Sequence, residues 1–183
     1  ALGYSFSSCS RKAFCEENMT ERKPDLLDLI CGKQQGEKYP VYDAQMKRAL
    51  RELCNQGTDL LISGSAIASD ESALQDEFTS RALGFSLIRA YGTPGDKIGP
   101  YKYSHNLNPD IYCIEHPDAL KGSKYAKSSK VILKYPDSRL CAALVSDMGS
   151  YRCAAIGVPL EALLNDNDRL SVLSMILENL QLY

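Results

Sequence analysis

The sequence predicts an α/β fold with a mainly parallel sheet and an antiparallel extension in its C-terminal half. Two apolar runs, at 25–31 and 59–64, have the length and composition of buried strands. Amphipathic helical patterns separate the strands of the first half, and the order β-α-β-α-β-α-β requires parallel strands joined by right-handed crossovers. After residue 91, short strand-like runs separated by turn residues replace this alternation.

The first elements follow from local signals. Residues 3–8 alternate in the manner of a short strand, and Ser10 is suited to cap a helix that carries Ala13 and Phe14. After the strand at 25–31 and a polar loop, a longer helix is predicted because its apolar residues recur every three or four positions. These residues are Tyr42, Met46, Ala49, Leu50, Leu53 and Cys54, and Gly57 is a suitable residue to end the helix.

The strand at 59–64 leads almost directly into another helix, capped by Ser69 or Asp70 and closed by Gly84. A strand at 85–90 follows. Residues 92–110 are rich in Gly, Pro, Tyr, Asn and Asp, which is too irregular for a further strand–helix unit.

The C-terminal half contains four predicted strands, at 111–115, 130–134, 140–146 and 151–157. Residues 147–150 read as a hairpin connection between the last two. Pro159 is placed to begin a short helix with Glu161 in its first turn, where a carboxylate suits the helix dipole. The final helix begins near Asp168 and carries its apolar face at Leu170, Leu173, Ile176, Leu177 and Leu180.

Size and composition indicate one globular domain spanning residues 1–183, and they exclude several function classes. Hydrophobic residues make up 44% of the 183 residues and charged residues 24%, which is ordinary for a globular chain. A net charge of -2 and a pI near 5.7 show no excess of basic residues of the kind that binds nucleic acid. No apolar run approaches the roughly 20 residues that span a membrane.

The seven cysteines are odd in number and scattered. They form no C-x-x-C pair and have no histidine at ligand spacing, so no metal site is predicted. Cys9 and Cys15 flank the first helix, and spacing alone neither requires nor excludes a disulfide between them. The other five lie in apolar strand or helix patterns and are expected to be small core residues: Cys31, Cys54, Cys113, Cys141 and Cys153.

Ser65 is the first candidate catalytic residue, because it follows a buried strand at a helix start, where open α/β folds place their chemistry. A serine hydroxyl is a poor nucleophile without a base. The chain has two histidines, His105 and His116, and both are predicted to lie in loops. Two interpretations of Ser65 therefore stay open, a nucleophile served by one of these histidines and a small turn residue beside the next helix.

The irregular segment 101–110 is the candidate ligand-binding site. Tyrosine rings offer flat faces with a polar tip, and Asn and Asp side chains offer hydrogen bonds, which suits a sugar or peptide ligand. The alternative is a solvated connection whose tyrosines pack on the edge of the sheet. The residues predicted to bind a ligand are Tyr101, Tyr103, Asn106, Asn108 and Asp110.

Five segments together resemble the flavodoxin-like domain, related to class I glutamine amidotransferases, of secreted bacterial proteins labelled xanthan lyase. These segments are 3–10 (GYSFSSCS), 28–34 (DLICGKQ), 61–70 (LISGSAIASD), 116–119 (HPDA) and 155–161 (AIGVPLE). The resemblance implies a three-layer α/β sandwich, a secreted or periplasmic location, a polysaccharide or cell-envelope ligand, and excision of this chain from a longer protein with neighbouring domains.

The resemblance also defines where a Cys–His–Glu triad would lie. The nucleophile position carries Ser65 between Gly64 and Ala66, without a cysteine, and the late position carries residues 158–161, without a histidine. Only Glu161 matches a triad member, so the domain is expected to be degenerate and non-catalytic, with a structural or carbohydrate-binding role.

Two alternative functions remain. One is a lyase or hydrolase that uses Ser65, Glu161 and a loop histidine, either His105 or His116, and the other is a protein-interaction module. No cofactor is expected, because the chain has neither a G-x-G-x-x-G motif nor a P-loop.

Overall fold

The computed structural model describes residues 5–16, 23–32, 37–90, 96–104, 106–108, 112–113 and 117–182. The helices are α1 (Arg11–Glu16), α2 (Ala44–Gln56), α3 (Glu71–Leu74) and α4 (Asp166–Asn179), with single 3₁₀ turns at Gln75–Glu77 and Leu160–Ala162 and a π-helical turn at Thr79–Leu83. The strands are β1 (Leu26–Gly32), β2 (Asp59–Gly64), β3 (Phe85–Ala90), β4 (Lys97–Ile98), β5 (Tyr101–Lys102), β6 (Asn106–Asn108), β7 (Tyr112–Cys113), β8 (Asp118–Gly122), β9 (Ser128–Lys134), β10 (Cys141–Asp147) and β11 (Arg152–Ile156).

The fold is α/β around one mixed sheet. Within the described residues the strand order is β1-β2-β11-β10-β8-β3, with β9 also paired to β10. The pairs β1–β2 and β2–β11 are parallel, and the other pairs of this sheet are antiparallel. Followed along the sheet, these pairings give β1, β2, β8, β9 and β11 one direction and β3 and β10 the other. The predicted antiparallel extension is confirmed.

Helices cover both faces of the sheet, as an α/β sandwich requires. On one face, Met46 and Leu50 of α2 pack with Leu60 and Ile62 of β2. On the other face, Ile176 of α4 belongs to the same buried cluster as Leu61, which lies between Leu60 and Ile62 in β2. Successive side chains of a strand point to opposite faces, so the apolar run of β2 supplies both cores.

Several predicted helix ends are confirmed. The Ser10 hydroxyl accepts the Ala13 N–H at 3.2 Å and so caps α1. Gly57 closes α2 with φ +83°, a conformation that glycine adopts without the steric cost of a Cβ. Asp70 caps α3 by accepting the Ser72 N–H at 3.0 Å. These ends are set by short-range side-chain and backbone bonds, which is why local sequence predicts them.

Three predictions of secondary structure are wrong. The described part of the predicted first strand, residues 5–8, lies outside any strand. The predicted continuous helix over 70–84 is broken, because Asp76 and Glu77 have φ values of +57° and +49° that no right-handed helix accommodates. The third concerns β3, which does not extend the parallel part of the sheet but pairs antiparallel with β8 at its far edge.

No helix in the described ranges combines the length and the apolar character needed to cross a bilayer.

Candidate functional site

The candidate site lies where the parallel strands β1, β2 and β11 end. Parallel strands present their carboxyl ends at one edge of a sheet, which is where α/β folds bind ligands. Ser65 directly follows β2, and Gly32 ends β1 beside it. Glu161 lies in the 3₁₀ turn shortly after β11. The structure therefore brings two of the predicted catalytic residues, Ser65 and Glu161, to the same edge.

Ser65 is held by the end of β1. Its N–H donates to the Gly32 carbonyl at 2.9 Å, and its hydroxyl donates to the same oxygen at 3.4 Å. The residue is 6% exposed and does not adopt a positive φ. A peptide carbonyl cannot accept the hydroxyl proton as a general base at neutral pH, so this bond does not activate the oxygen as a nucleophile.

The turn after Ser65 is closed by a buried carboxylate from the opposite half of the chain. Asp118, at the start of β8, is fully buried, and its Oδ2 accepts the Ala68 N–H at 2.7 Å and the Ser69 N–H at 3.0 Å. Backbone N–H groups of the turn after a central strand can stabilise an oxyanion in acyl-transfer enzymes, where one donor is the residue directly after the nucleophile. Here an internal carboxylate binds two N–H groups of that turn, three and four residues after Ser65.

The main chain of Asp118 is fixed as firmly as its side chain. Its N–H donates to the Gly157 carbonyl at 3.1 Å, and its carbonyl accepts the Tyr135 hydroxyl at 2.8 Å. A Cβ added to Gly157 would lie 2.1 Å from the Asp118 carbonyl oxygen. Glycine at position 157 therefore permits the residue after β11 to approach the first residue of β8 closely, and this contact places the carboxylate.

Burial raises the pKa of Asp118 to about 6, and the nearby charge of Asp70 raises it further, while the bonds from Ser69 and Ala68 oppose the shift. The second carboxylate oxygen, Oδ1, is buried without a hydrogen-bond partner. A buried acceptor without a partner destabilises the ionised form. The ionised Asp118 side chain therefore binds the turn at neutral pH, although burial of its charge is energetically unfavourable.

The far side of the turn is fixed by the segment before α2. Asp70 Oδ1 accepts the Val41 N–H at 3.3 Å and also binds the Ser72 hydroxyl. The Tyr42 N–H donates to the Ser72 hydroxyl at 2.8 Å. Together with the bonds from Gly32 and Asp118, these contacts tie the turn to three separate parts of the fold.

A second pair of acidic residues consists of Asp28 in β1 and Glu161 in the 3₁₀ turn after β11. Burial raises the pKa of Asp28 to about 6, and the negative charge of Glu161 raises it further. The same charge contributes to the raised pKa of the buried Cys31 thiol, after the larger effect of burial. The charge of Glu161 therefore acts on a second carboxyl group in β1, that of Asp28.

The predicted ligand segment borders this region. The Ser104 N–H donates to the Ala162 carbonyl at 2.9 Å, and the Leu164 N–H donates to the Lys102 carbonyl at 3.1 Å. Tyr103 forms a β-bridge with Leu163 and is 2% exposed, whereas Tyr101 is half-buried. Residues 101–104 thus pair with the turn that carries Glu161, and Tyr101 retains a partly accessible ring.

The remaining predicted site residues are only partly described. Asn106 and Asn108 lie in β6, which pairs with β7. Their side chains, and the whole of His105, Asp110 and His116, lie outside the described residues. Their predicted roles as a base and as ligand contacts stay predictions.

The six cysteines whose side chains the structure describes are free thiols. The predicted burial of Cys31, Cys54, Cys141 and Cys153 is confirmed, and the side chain of Cys113 lies outside the description. Cys9 is exposed, and Cys15, which is half-buried, is not bonded to it. In the part of the chain that the structure describes, no three His, Cys, Asp or Glu side chains are grouped to hold a metal ion.

Asp118 is the residue whose role sequence reasoning missed. It stands in the 116–119 segment, but its partner Ala68 lies 50 residues earlier, and no local pattern predicts that contact. The available signal was an acidic residue at the first position of a short buried run, Ala119-Leu120.

A comparison with models of protein families gave no match, and a comparison with curated proteins gave no significant match either.

Proposed function

We propose that this chain is a non-catalytic domain with the architecture of a class I glutamine amidotransferase, acting as a binding or structural module in a secreted, carbohydrate-directed bacterial protein. The observation that carries the proposal is the Asp118 carboxylate on the Ala68 and Ser69 N–H groups. Donors that stabilise an oxyanion must be open to the reacting atom, and these two N–H groups of the turn after Ser65 already bind an internal anion.

The residues at the nucleophile position support the same conclusion. An active serine elbow exposes its hydroxyl and pairs it with a base. Ser65 is buried and its hydroxyl donates to the Gly32 carbonyl. At the late position, the charge of Glu161 raises the pKa of another carboxyl group, that of Asp28, and the position two residues before Glu161 is occupied by Pro159 rather than by a histidine.

The residues that border the site support the proposal of a carbohydrate ligand. Tyr101 is half-buried next to the turn that carries Glu161, and aromatic rings beside carboxylates are suited to sugars because they offer a stacking face and hydrogen-bond acceptors. A glycan array with the wild-type domain and a Tyr101→Ala variant tests this. We expect binding to an acidic or neutral glycan that the variant loses.

The alternative function, a lyase or hydrolase, is favoured by the location of Ser65 and Glu161 at the same edge of the sheet. Assays of turnover distinguish it from the proposed non-catalytic function. We expect no release of ammonia from glutamine and no cleavage of xanthan-type polysaccharide by the wild-type chain. Ser65→Ala should leave that null result and the stability unchanged to within about 1 kcal/mol, because it removes one long hydrogen bond. Turnover that Ser65→Ala and Glu161→Gln both abolish would establish the alternative instead.

A further inference from the structure

Two positive charges of α2 lie beside the ring of Phe78. The ammonium nitrogen of Lys47 is 5.5 Å from the ring centroid, and the guanidinium carbon of Arg51 is 5.1 Å from the same point. The two residues are four positions apart in α2, so their side chains project from one face of the helix. Phe78 is fully buried and packs on Tyr42, with 5.3 Å between the ring centroids. The two cations therefore lie near one firmly held aromatic ring.

Neither Lys47 nor Arg51 has an acidic partner in the part of the chain that the structure describes. Among these described residues, their side chains form no ion pair and no hydrogen bond. Lys47 is only 7% exposed, and lysines this buried are normally paired with a counter-charge. Attraction to the ring offsets only part of the cost of burial, and the two like charges repel each other. The two cations therefore favour the approach of an anion.

The neighbouring carboxylates already bind other cations. One precedes Lys47 by about one helical turn, one directly follows Arg51, and one directly precedes Phe78. Their ion pairs are Asp43–Arg11 at 2.8 Å, Glu52–Arg48 at 3.0 Å and Glu77–Arg81 at 2.9 Å. These carboxylates therefore do not neutralise Lys47 and Arg51, and a ligand can supply that charge.

We propose that Lys47 and Arg51 bind a phosphate or sulfate group. Such a group carries up to about two negative charges, which match the two positive charges, and its oxygens accept hydrogen bonds from ammonium and guanidinium groups. Arginine binds these groups through two parallel hydrogen bonds. Arg51 is exposed and the Lys47 ammonium is not fully enclosed, so a ligand can reach both from solvent. The same chemistry serves a free ion and an ester group on a glycan.

The anion site is independent of the proposed function. Phe78 belongs to the core on the face of the sheet that α2 covers, whereas Tyr101 and the turn that carries Glu161 pack with α4 on the other face. Loss of glycan binding in Tyr101→Ala and loss of anion binding in Arg51→Gln are therefore separate outcomes.

Inorganic phosphate, added to the full chain at constant ionic strength and followed by the NMR signals of the Phe78 ring, tests this site. We expect the ring signals of the wild type to shift and to saturate. Arg51→Gln should weaken phosphate binding by about tenfold, because it removes one of the two charges and the paired donors. Arg48→Gln is the matched control, since Arg48 lies on the same helix, is 82% exposed and pairs with Glu52. Its affinity for phosphate should stay within about twofold of the wild type.

A sulfated or phosphorylated oligosaccharide, used in place of the free ion, distinguishes the two sources of the group. Tighter binding that Arg51→Gln abolishes assigns the site to a glycan ester, and binding no tighter than that of inorganic phosphate assigns it to the free ion. A phosphate response that does not saturate, or one that Arg51→Gln and Arg48→Gln weaken equally, overturns the proposal, because the ion would then only screen the overall charge.

Discussion

Replacing Gly157 with alanine is expected to destabilise the fold by about 3 kcal/mol or more, and in the extreme case to prevent folding. The added Cβ would stand 2.1 Å from the Asp118 carbonyl oxygen and 3.1 Å from the Tyr135 hydroxyl. The carbonyl oxygen belongs to the backbone at the start of β8, which cannot move without breaking the Asp118 contacts to the turn. Urea unfolding followed by circular dichroism measures the loss.

Gly149→Ala is the matched control. Gly149 also faces a close contact, at 2.8 Å, but with the flexible end of the Lys127 side chain, and its φ is +101° in the β10–β11 hairpin. The expected loss is about 1–2 kcal/mol from backbone strain alone. If Gly157→Ala costs no more than Gly149→Ala, Gly157 and Asp118 are not in the close contact described here.

Replacing Asp118 with alanine is expected to reduce the free energy of unfolding by about 2–4 kcal/mol. The substitution leaves the N–H groups of Ala68 and Ser69 without their acceptor in a buried turn. Asp118→Asn keeps one acceptor oxygen and should cost no more than about 2 kcal/mol. Equal losses in the two variants would contradict this expectation, because Asn keeps the volume and one acceptor oxygen of the side chain and neither would then account for the stabilisation.

The same position predicts a dependence of stability on pH. The pKa of Asp118 is about 6 in the folded chain, above its ordinary value of 3.8. The folded state therefore binds the proton more tightly, so this contribution to stability is complete below about 4 and is lost as the pH rises through about 6. Asp118→Asn should flatten the pH profile over that window. The pKa of Asp28 is also raised to about 6, so Asp28 contributes to the same dependence of stability on pH. Asp28→Asn should remove only the part of that dependence that Asp28 causes.

The central strands and α2 could be predicted because their signals are local. β1 and β2 are continuous apolar runs, and α2 combines a regular apolar period with an Asp43 cap and the Gly57 end. The break at Asp76 could not be predicted in this way. Aspartate tolerates the left-handed conformation better than most residues, but it also occurs within ordinary helices, so Asp76 alone does not predict the break.

The order of the sheet depends on β8, a strand with almost no recognisable sequence pattern. β8 contributes only Ala119 and Leu120 as buried apolar residues, yet it separates β3 from β10 and carries Asp118. For the candidate site too, the local features could be predicted from the sequence and the long-range contacts could not. The location of Ser65 at the end of β2 follows from strand polarity, whereas the closure of its turn depends on a contact between distant parts of the chain.

The amide protons of Ala68 and Ser69, followed by NMR as the pH is lowered, test most directly whether the Asp118 carboxylate occupies this turn. We expect both resonances to lie downfield, to exchange slowly, and to titrate together with a midpoint of about 6, the pKa of Asp118. Asp118→Asn should abolish the titration at both positions. Amides that exchange rapidly and do not respond to Asp118 would contradict the account, because the N–H pair would then be open to an anion from outside.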